Sequence, residues 1–279
     1  MEANADCARR VRGSLTDHQR VDSHRRSIMA VFDADEFLQM TTAILSALPE
    51  EQSGLHELLQ DKEYIRHAGR DLWRGTLHGK PVVLALSGIG KVAAATTTAA
   101  LIERFGVQRV VFVGVAGGLA ARVRVGDLVV GTEYLQHDMD ASPLFPKYEI
   151  PLYARSRFAA DAELFAIVSE AAHAVFAPAD ASKDQQTTVH KGLIVSGDRF
   201  VSSTAEALAL QAALPDALCV EMEGAAVAQV CFDYALPFVA LRSISDRADD
   251  SAHRDFPEFL REVAAPVARA LIHATLRLL

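Results

Sequence analysis

Two acids in the second half of the chain have the residue types and surroundings to do chemistry. Val220-Glu-Met-Glu223 ends one apolar run and opens a predicted helix over residues 224–234, and Asp246 follows another apolar run, Phe238–Ile244. A helix N-terminus and the end of a buried strand are the places where an open parallel sheet builds its ligand crevice. A carboxylate accepts two hydrogen bonds side by side, so Glu223 suits a pair of vicinal hydroxyls, with Met222 against the ring that carries them and Glu221 beside it. A structural role competes with this reading, because an acid in the first turn of a helix is stabilised by the helix dipole. Asp246 has its own alternative as a cap. Arg242, inside the second apolar run, needs partners if it is buried.

Two glycine-rich stretches add backbone rather than side chains. Ser87-Gly-Ile-Gly-Lys91-Val-Ala93 follows a predicted strand and precedes a predicted helix, which is a dinucleotide fingerprint in outline. The acid expected at the end of the next strand is missing, and a tight turn between helix and sheet is the plainer reading. Gly114-Val-Ala-Gly-Gly118 reads as a second turn whose open amides and carbonyls could hold a flat ligand or a sugar.

The elements that must position these residues alternate strand, turn and helix. Short apolar runs at residues 41–47, 81–86, 109–113, 125–131, 192–195, 217–220 and 238–244 predict strands covered on both faces. A strand-like piece also spans residues 71–77. Helices are predicted after Pro49, with Glu50 and Glu51 in the first turn and Leu55, Leu58 and Leu59 on the apolar face, and at 92–105, 161–176, 204–214, 224–234 and 256–279, the last with a kink at Pro266. Residues 141–157 hold three prolines and read as a surface excursion; residues 177–187 read as a polar, mobile loop. The expected architecture is a single three-layer α/β/α domain over residues 39–279 with a mostly parallel, mixed central sheet. Residues 1–38, arginine-rich and without apolar period, read as a poorly ordered extension.

Composition narrows the function classes. Half of the 279 residues are hydrophobic, enough for a large core, and the net charge of −8 gives no basic footprint for nucleic acid. No apolar run reaches the roughly 18 residues of a membrane span, and no signal peptide is visible. Cys7, Cys219 and Cys231 have no metal-type spacing and fit a reducing cytoplasm.

Taken in order, Ala47-Leu-Pro-Glu-Glu51, Ser87-Gly-Ile-Gly-Lys91-Val92, Gly114-Val-Ala-Gly-Gly118-Leu119, Val125-Gly-Asp127, Gly192-Leu-Ile-Val-Ser-Gly-Asp198, Val220-Glu-Met-Glu223 and Arg242-x-Ile-Ser-Asp246-x-Ala-Asp249 resemble the purine nucleoside phosphorylase-like superfamily. Within it they most resemble the 5′-methylthioadenosine/S-adenosylhomocysteine nucleosidases, over roughly residues 40–275. The resemblance implies an N-glycosyl hydrolase without cofactor or metal, acting on a small-molecule nucleoside as a homodimer. It implies that Glu51 activates the water, Glu223 binds the ribose with Met222 on the sugar, and Asp246 protonates purine N7. Phe200 and Val201 would meet the base, Ala116 and Gly117 form a glycine-rich wall, Arg242 stands near the water, and Phe256 lines the pocket. Ala47, Glu221 and Ser245 join the expected substrate contacts. Val115 departs from the serine often found in bacterial members, and the 141–157 excursion has no match in the short forms, so it bears on the 5′ substituent. For this chemistry Asp246 must carry a proton near neutral pH, so that the base leaves uncharged. Three alternatives stay open: phosphorolysis on the same fold, a nucleosidase for another nucleoside such as futalosine, and a non-catalytic nucleoside- or dinucleotide-binding module. A carboxylate at Glu51, where a phosphorylase would hold phosphate, argues for hydrolysis.

Overall fold

The apolar runs become strands because each has two faces to bury. In a computed structural model, which describes residues 40–176, 187–252, 256 and 259–279, Ala43 and Leu45 face one hydrophobic core and Ile44 the other; Val110 and Phe112 divide from Val111 and Val113 in the same way. Side chains alternate along a strand, so a run apolar at every position requires cover on both sides. The expected extension at residues 1–38 and nearly all of the 177–187 loop lie outside the described residues.

The strands are β1 (Thr42–Ser46), β2 (Gln60–His67), β3 (Arg70–Leu77), β4 (Lys80–Leu86), β5 (Arg109–Gly118), β6 (Leu128–Gln136), β7 (Arg157–Ala159), β8 (Val189–Ser196), β9 (Ala217–Glu221) and β10 (Phe238–Asp246). They form one mixed sheet in the order β10-β6-β8-β9-β5-β1-β4-β3-β2, with β7 on β6. The centre β4-β1-β5-β10 is parallel, as is β6-β8-β9; the hairpins β2-β3-β4 and the pairs β6-β10 and β5-β9 are antiparallel. Because β10 pairs with both β5 and β6, and β9 pairs with β5, this half of the sheet closes on itself.

Helices α1 (Lys91–Phe105), α2 (Ala162–Phe176), α3 (Thr204–Ala213), α4 (Gly224–Asp233) and α5 (Ala265–Leu278) cover the sheet. α1 and α4 bury Leu101, Ala225, Val227 and Cys231 in one core. α2 and α5 bury Leu164, Val168, Leu271 and Ile272 in the other. Helices on both faces of a central sheet are the three layers the sequence predicts. No helix among the described residues is long and apolar enough to cross a membrane.

Four local expectations are corrected. The helix after Pro49 is two 3₁₀ turns, Pro49–Gln52 and His56–Leu58, because Gly54 takes φ +76° between them. Gln52 is held elsewhere: its amide donates to the carbonyls of Ile44 and Ala85. The polar strand β2, Gln60–His67, follows these turns and was not predicted. Gly114–Gly118 is the end of β5 rather than a turn. The last helix is not α-helical throughout: it includes a π-helical turn, Leu260–Ala264, directly before Pro266, the second residue of α5.

Candidate active site

The ends of β1, β5, β9 and β10 open on one cavity of about 480 Å³, a size suited to a small ligand. It is lined by Ala47, Leu48, Glu51, Ile89, Val115, Ala116, Gly117, Arg199, Phe200, Val201, Val220, Glu221, Met222, Glu223, Ser245, Asp246 and Phe256. Three acids far apart in sequence, Glu51, Glu223 and Asp246, therefore face one space.

Glu51 is nearly fully buried. The 3₁₀ turn after β1 folds it back so that Oε2 accepts from the N–H of Ala47 at 2.8 Å and of Leu48 at 2.9 Å, while Oε1 accepts from the N–H of Val115 at 3.1 Å. Burial raises its pKa above the ordinary carboxylate value, and the amides and Arg242 oppose that rise. Gly114 makes room for it: a Cβ there would stand 3.0 Å from Glu51 Oε1.

Glu223 is the N-cap residue of α4, and its Oε1 accepts from the N–H of Gly90 at 2.8 Å. The glycine-rich Ser87–Lys91 segment is thus a turn that offers an amide to an acid of the cavity, not a dinucleotide cradle. Burial, and then the neighbouring Glu221, push the Glu223 pKa up to about 8.

Asp246 ends β10 opposite Gly117, after an irregularity in register at Ile244. Its Oδ2 accepts from Ser245 Oγ at 2.8 Å and its Oδ1 from the N–H of Ala248 at 2.7 Å. A Cβ at position 117 would lie 2.9 Å from Asp246 Oδ1 and 2.9 Å from Ala248 Cβ. The Gly-rich end of β5 therefore exists to let two acids come close, which is the physical content of that motif.

Arg242 lies behind the cavity rather than in it. Its Nη2 donates to Glu221 Oε2 at 2.6 Å and its Nη1 to the carbonyls of Phe112 and Leu241. Its guanidinium also sits over the Phe112 ring. Glu221 lines the cavity, yet its oxygens are engaged by Arg242, by Ser196 Oγ and by the N–H groups of Glu223 and Gly224. Ser196 Oγ in turn accepts from the N–H of Ala225 at 2.7 Å. This pair anchors the start of α4 and so the backbone of Glu223.

Phe200 and Val201 follow the turn after β8, and Phe200 meets Phe256 edge to face at 5.5 Å. All the sequence-predicted site residues except Arg242 line the cavity. Sequence reasoning missed Leu48, Ile89, Arg199 and Val220; each adjoins a residue or motif already singled out, which is the only signal they carry. Among the described residues, no group of three or more His, Cys, Asp and Glu side chains is placed to hold a metal ion.

The phosphorylase superfamily family profile matches residues 41–277. A 5′-methylthioadenosine/S-adenosylhomocysteine nucleosidase of Anoxybacillus flavithermus is 39% identical over 226 residues, 81% of this chain and 93% of the relative. The structure of the corresponding Neisseria meningitidis nucleosidase, in complex with methylthio-immucillin-A, is 36% identical with a TM-score of 0.78, covering 86% of this chain and 99% of that one. A futalosine hydrolase of Helicobacter pylori is similar too, at 35% identity and a TM-score of 0.77, covering 87% and 100%. With near full-length matches on both sides, the chain belongs to the phosphorylase superfamily and, within it, to the 5′-methylthioadenosine/S-adenosylhomocysteine nucleosidases.

Proposed function

We propose that the protein hydrolyses the N-glycosidic bond of 5′-methylthioadenosine, S-adenosylhomocysteine or both, releasing adenine and the free thioribose. The observation that carries this reading is the convergence of Glu51, Glu223 and Asp246 on one cavity. The base lies against the small residues Ala116 and Gly117, with Val201 and Phe200 at its edge and face. Asp246 gives its proton to N7 as the bond from C1′ to the base breaks, so adenine leaves neutral and the bonding electrons go with it. The sugar becomes oxocarbenium-like, in analogy with glycoside hydrolysis. Glu223 accepts from the 2′ and 3′ hydroxyls, and Met222 packs on the ring. Glu51 takes a proton from the water that bonds to C1′; adenine keeps the proton that Asp246 gave it, and the proton on Glu51 returns through solvent to Asp246, which restores both acids. Arg242 and Glu221 act by positioning: they hold the backbone on which Glu223 stands.

Water is favoured over phosphate by what Glu51 does with the backbone. The amides of Ala47, Leu48 and Val115 that could hold an anion already donate to its carboxylate. A phosphate would meet a negative charge and spent donors. The test is product analysis with 5′-methylthioadenosine, S-adenosylhomocysteine and inosine, each with and without phosphate. Adenine and free thioribose at equal rates in both conditions support the reading; cleavage only with phosphate, yielding the sugar 1-phosphate, overturns it. A cytoplasmic homodimer accompanies this proposal, and sedimentation of the purified protein checks the dimer.

A further inference from the structure

The cavity is chemically lopsided. Its deep end holds Glu51, Glu221, Glu223 and Asp246, with Asp246 only 1% exposed. Among the described residues that line it, the one basic side chain is Arg199, 75% exposed at the rim beside Ile89 and Phe200, which are 57% and 41% exposed. An anionic group on a ligand would be repelled at the floor and matched at this edge alone. Arg199 Nε stands 3.2 Å from Glu206 Oε1 on α3, which holds the guanidinium on the surface. Arg199 is exposed and Glu206 half-buried, and an ion pair with one partner so open to solvent is weak and exchangeable. The guanidinium fork fits a carboxylate with two parallel hydrogen bonds, which the single Nε contact to Glu206 does not use.

We propose that Arg199 is a specificity-determining residue that recognises a carboxylate at the end of the substrate's 5′ substituent, with Glu206 as the partner it leaves on binding. This rests on the orientation proposed above: with the base on the floor at Ala116, Gly117 and Asp246, the 5′ carbon points to the rim. A thioether arm of a few bonds then carries its terminal group past Phe200 to Arg199. The site thus favours 5′-thionucleosides bearing a carboxylate over neutral ones of the same length.

The test uses the full chain and three substrates: 5′-methylthioadenosine, 5′-S-(2-carboxyethyl)-5′-thioadenosine and the carboxamide of the latter. Adenine release gives KM and kcat for each. The unaltered protein shows a lower KM for the carboxylate than for the carboxamide. Arg199→Ala shrinks that ratio about three- to fivefold, the worth of a well-placed exposed ion pair, whereas Arg199→Lys keeps part of it. Glu206→Gln widens the ratio by freeing the guanidinium, and added salt narrows it by screening. A ratio of one in the unaltered protein, or a ratio unmoved by Arg199→Ala, overturns the proposal. If Arg199→Ala does not fold, Glu206→Gln decides: no change in the ratio overturns it. Failure to cleave all three substrates would instead overturn the nucleosidase reading; cleavage of methylthioadenosine with no role for Arg199 sinks only this inference.

Discussion

Glu51 and Glu223 are both held above the ordinary carboxylate range, for different reasons and with different consequences. In the proposed mechanism Glu51 must be ionised to accept a proton from water. Its raised pKa moves the acid limb of kcat/KM upward, so activity falls at a pH above the usual 4.5 of a glutamate. A kcat/KM profile against pH reads this limb, and Glu51→Gln abolishes turnover across it, lowering kcat by about 10²–10⁴-fold. Asp246→Asn, which cannot deliver a proton, costs about as much while nucleoside still binds, as calorimetry with an unreactive analogue would show. For Glu223 the sign concerns stability. Its pKa is about 8 when folded and near 4.5 when unfolded. Below the lower value both states are protonated. Between the two the unfolded chain releases a proton that the folded one keeps, so stability falls as pH rises through this window. Denaturant midpoints at several pH values should show the fall, and Glu223→Gln should flatten it. The residue types were legible because acids in apolar surroundings are conspicuous. The placement of Arg242 was not: an arginine in a strand signals a partner, and only the fold shows that the partner is Glu221.

At the scale of elements, the site depends on small residues and on one network. Gly117→Ala pushes a methyl onto Asp246 Oδ1 and Ala248. The expected result is a loss of about 1–3 kcal/mol of stability from overpacking, together with a lower kcat as Asp246 shifts, measured by urea unfolding and steady-state kinetics. Asp198 ties two loops of the cavity: its Oδ1 accepts from the N–H of Lys91 at 2.7 Å, and its own N–H donates to Asp138 Oδ2 at 2.9 Å. Lys91 Nζ closes the ring to Asp138 at 2.6 Å. Asp198 thus supplies from a distant loop the cap that Gly90 lacks at the start of α1. Asp198→Ala should cost about 1 kcal/mol, as lost caps do, and should raise KM by loosening Gly90 from Glu223 and the Phe200 turn. Apolar runs announced most strands and helices because burial on two faces leaves a plain pattern. The polar β2 did not follow that pattern, and Gly54 broke the predicted helix before it.

For the whole molecule, the three layers were readable from unbroken apolar runs, whereas the closure of the sheet through β10 was not. Closure is decided by which strand edges meet, and the pairing of Leu241–Ser243 with Leu128–Val130 is made by backbone groups that every residue type carries. The convergence of acids needed both the fold and the closure, because Glu51, Glu223 and Asp246 arrive from β1, β9 and β10. The carboxylate of Glu51 behaves, in its hydrogen bonds, like a tethered anion filling a backbone nest. Shortening it to glycine would empty that nest while Arg242 remains within reach of Gly114. Formate should then restore some turnover by chemical rescue, and arsenate or phosphate could enter as the attacking group. One side chain would separate two reaction types, with a built-in carboxylate excluding the rival nucleophile from a scaffold already shaped to receive it.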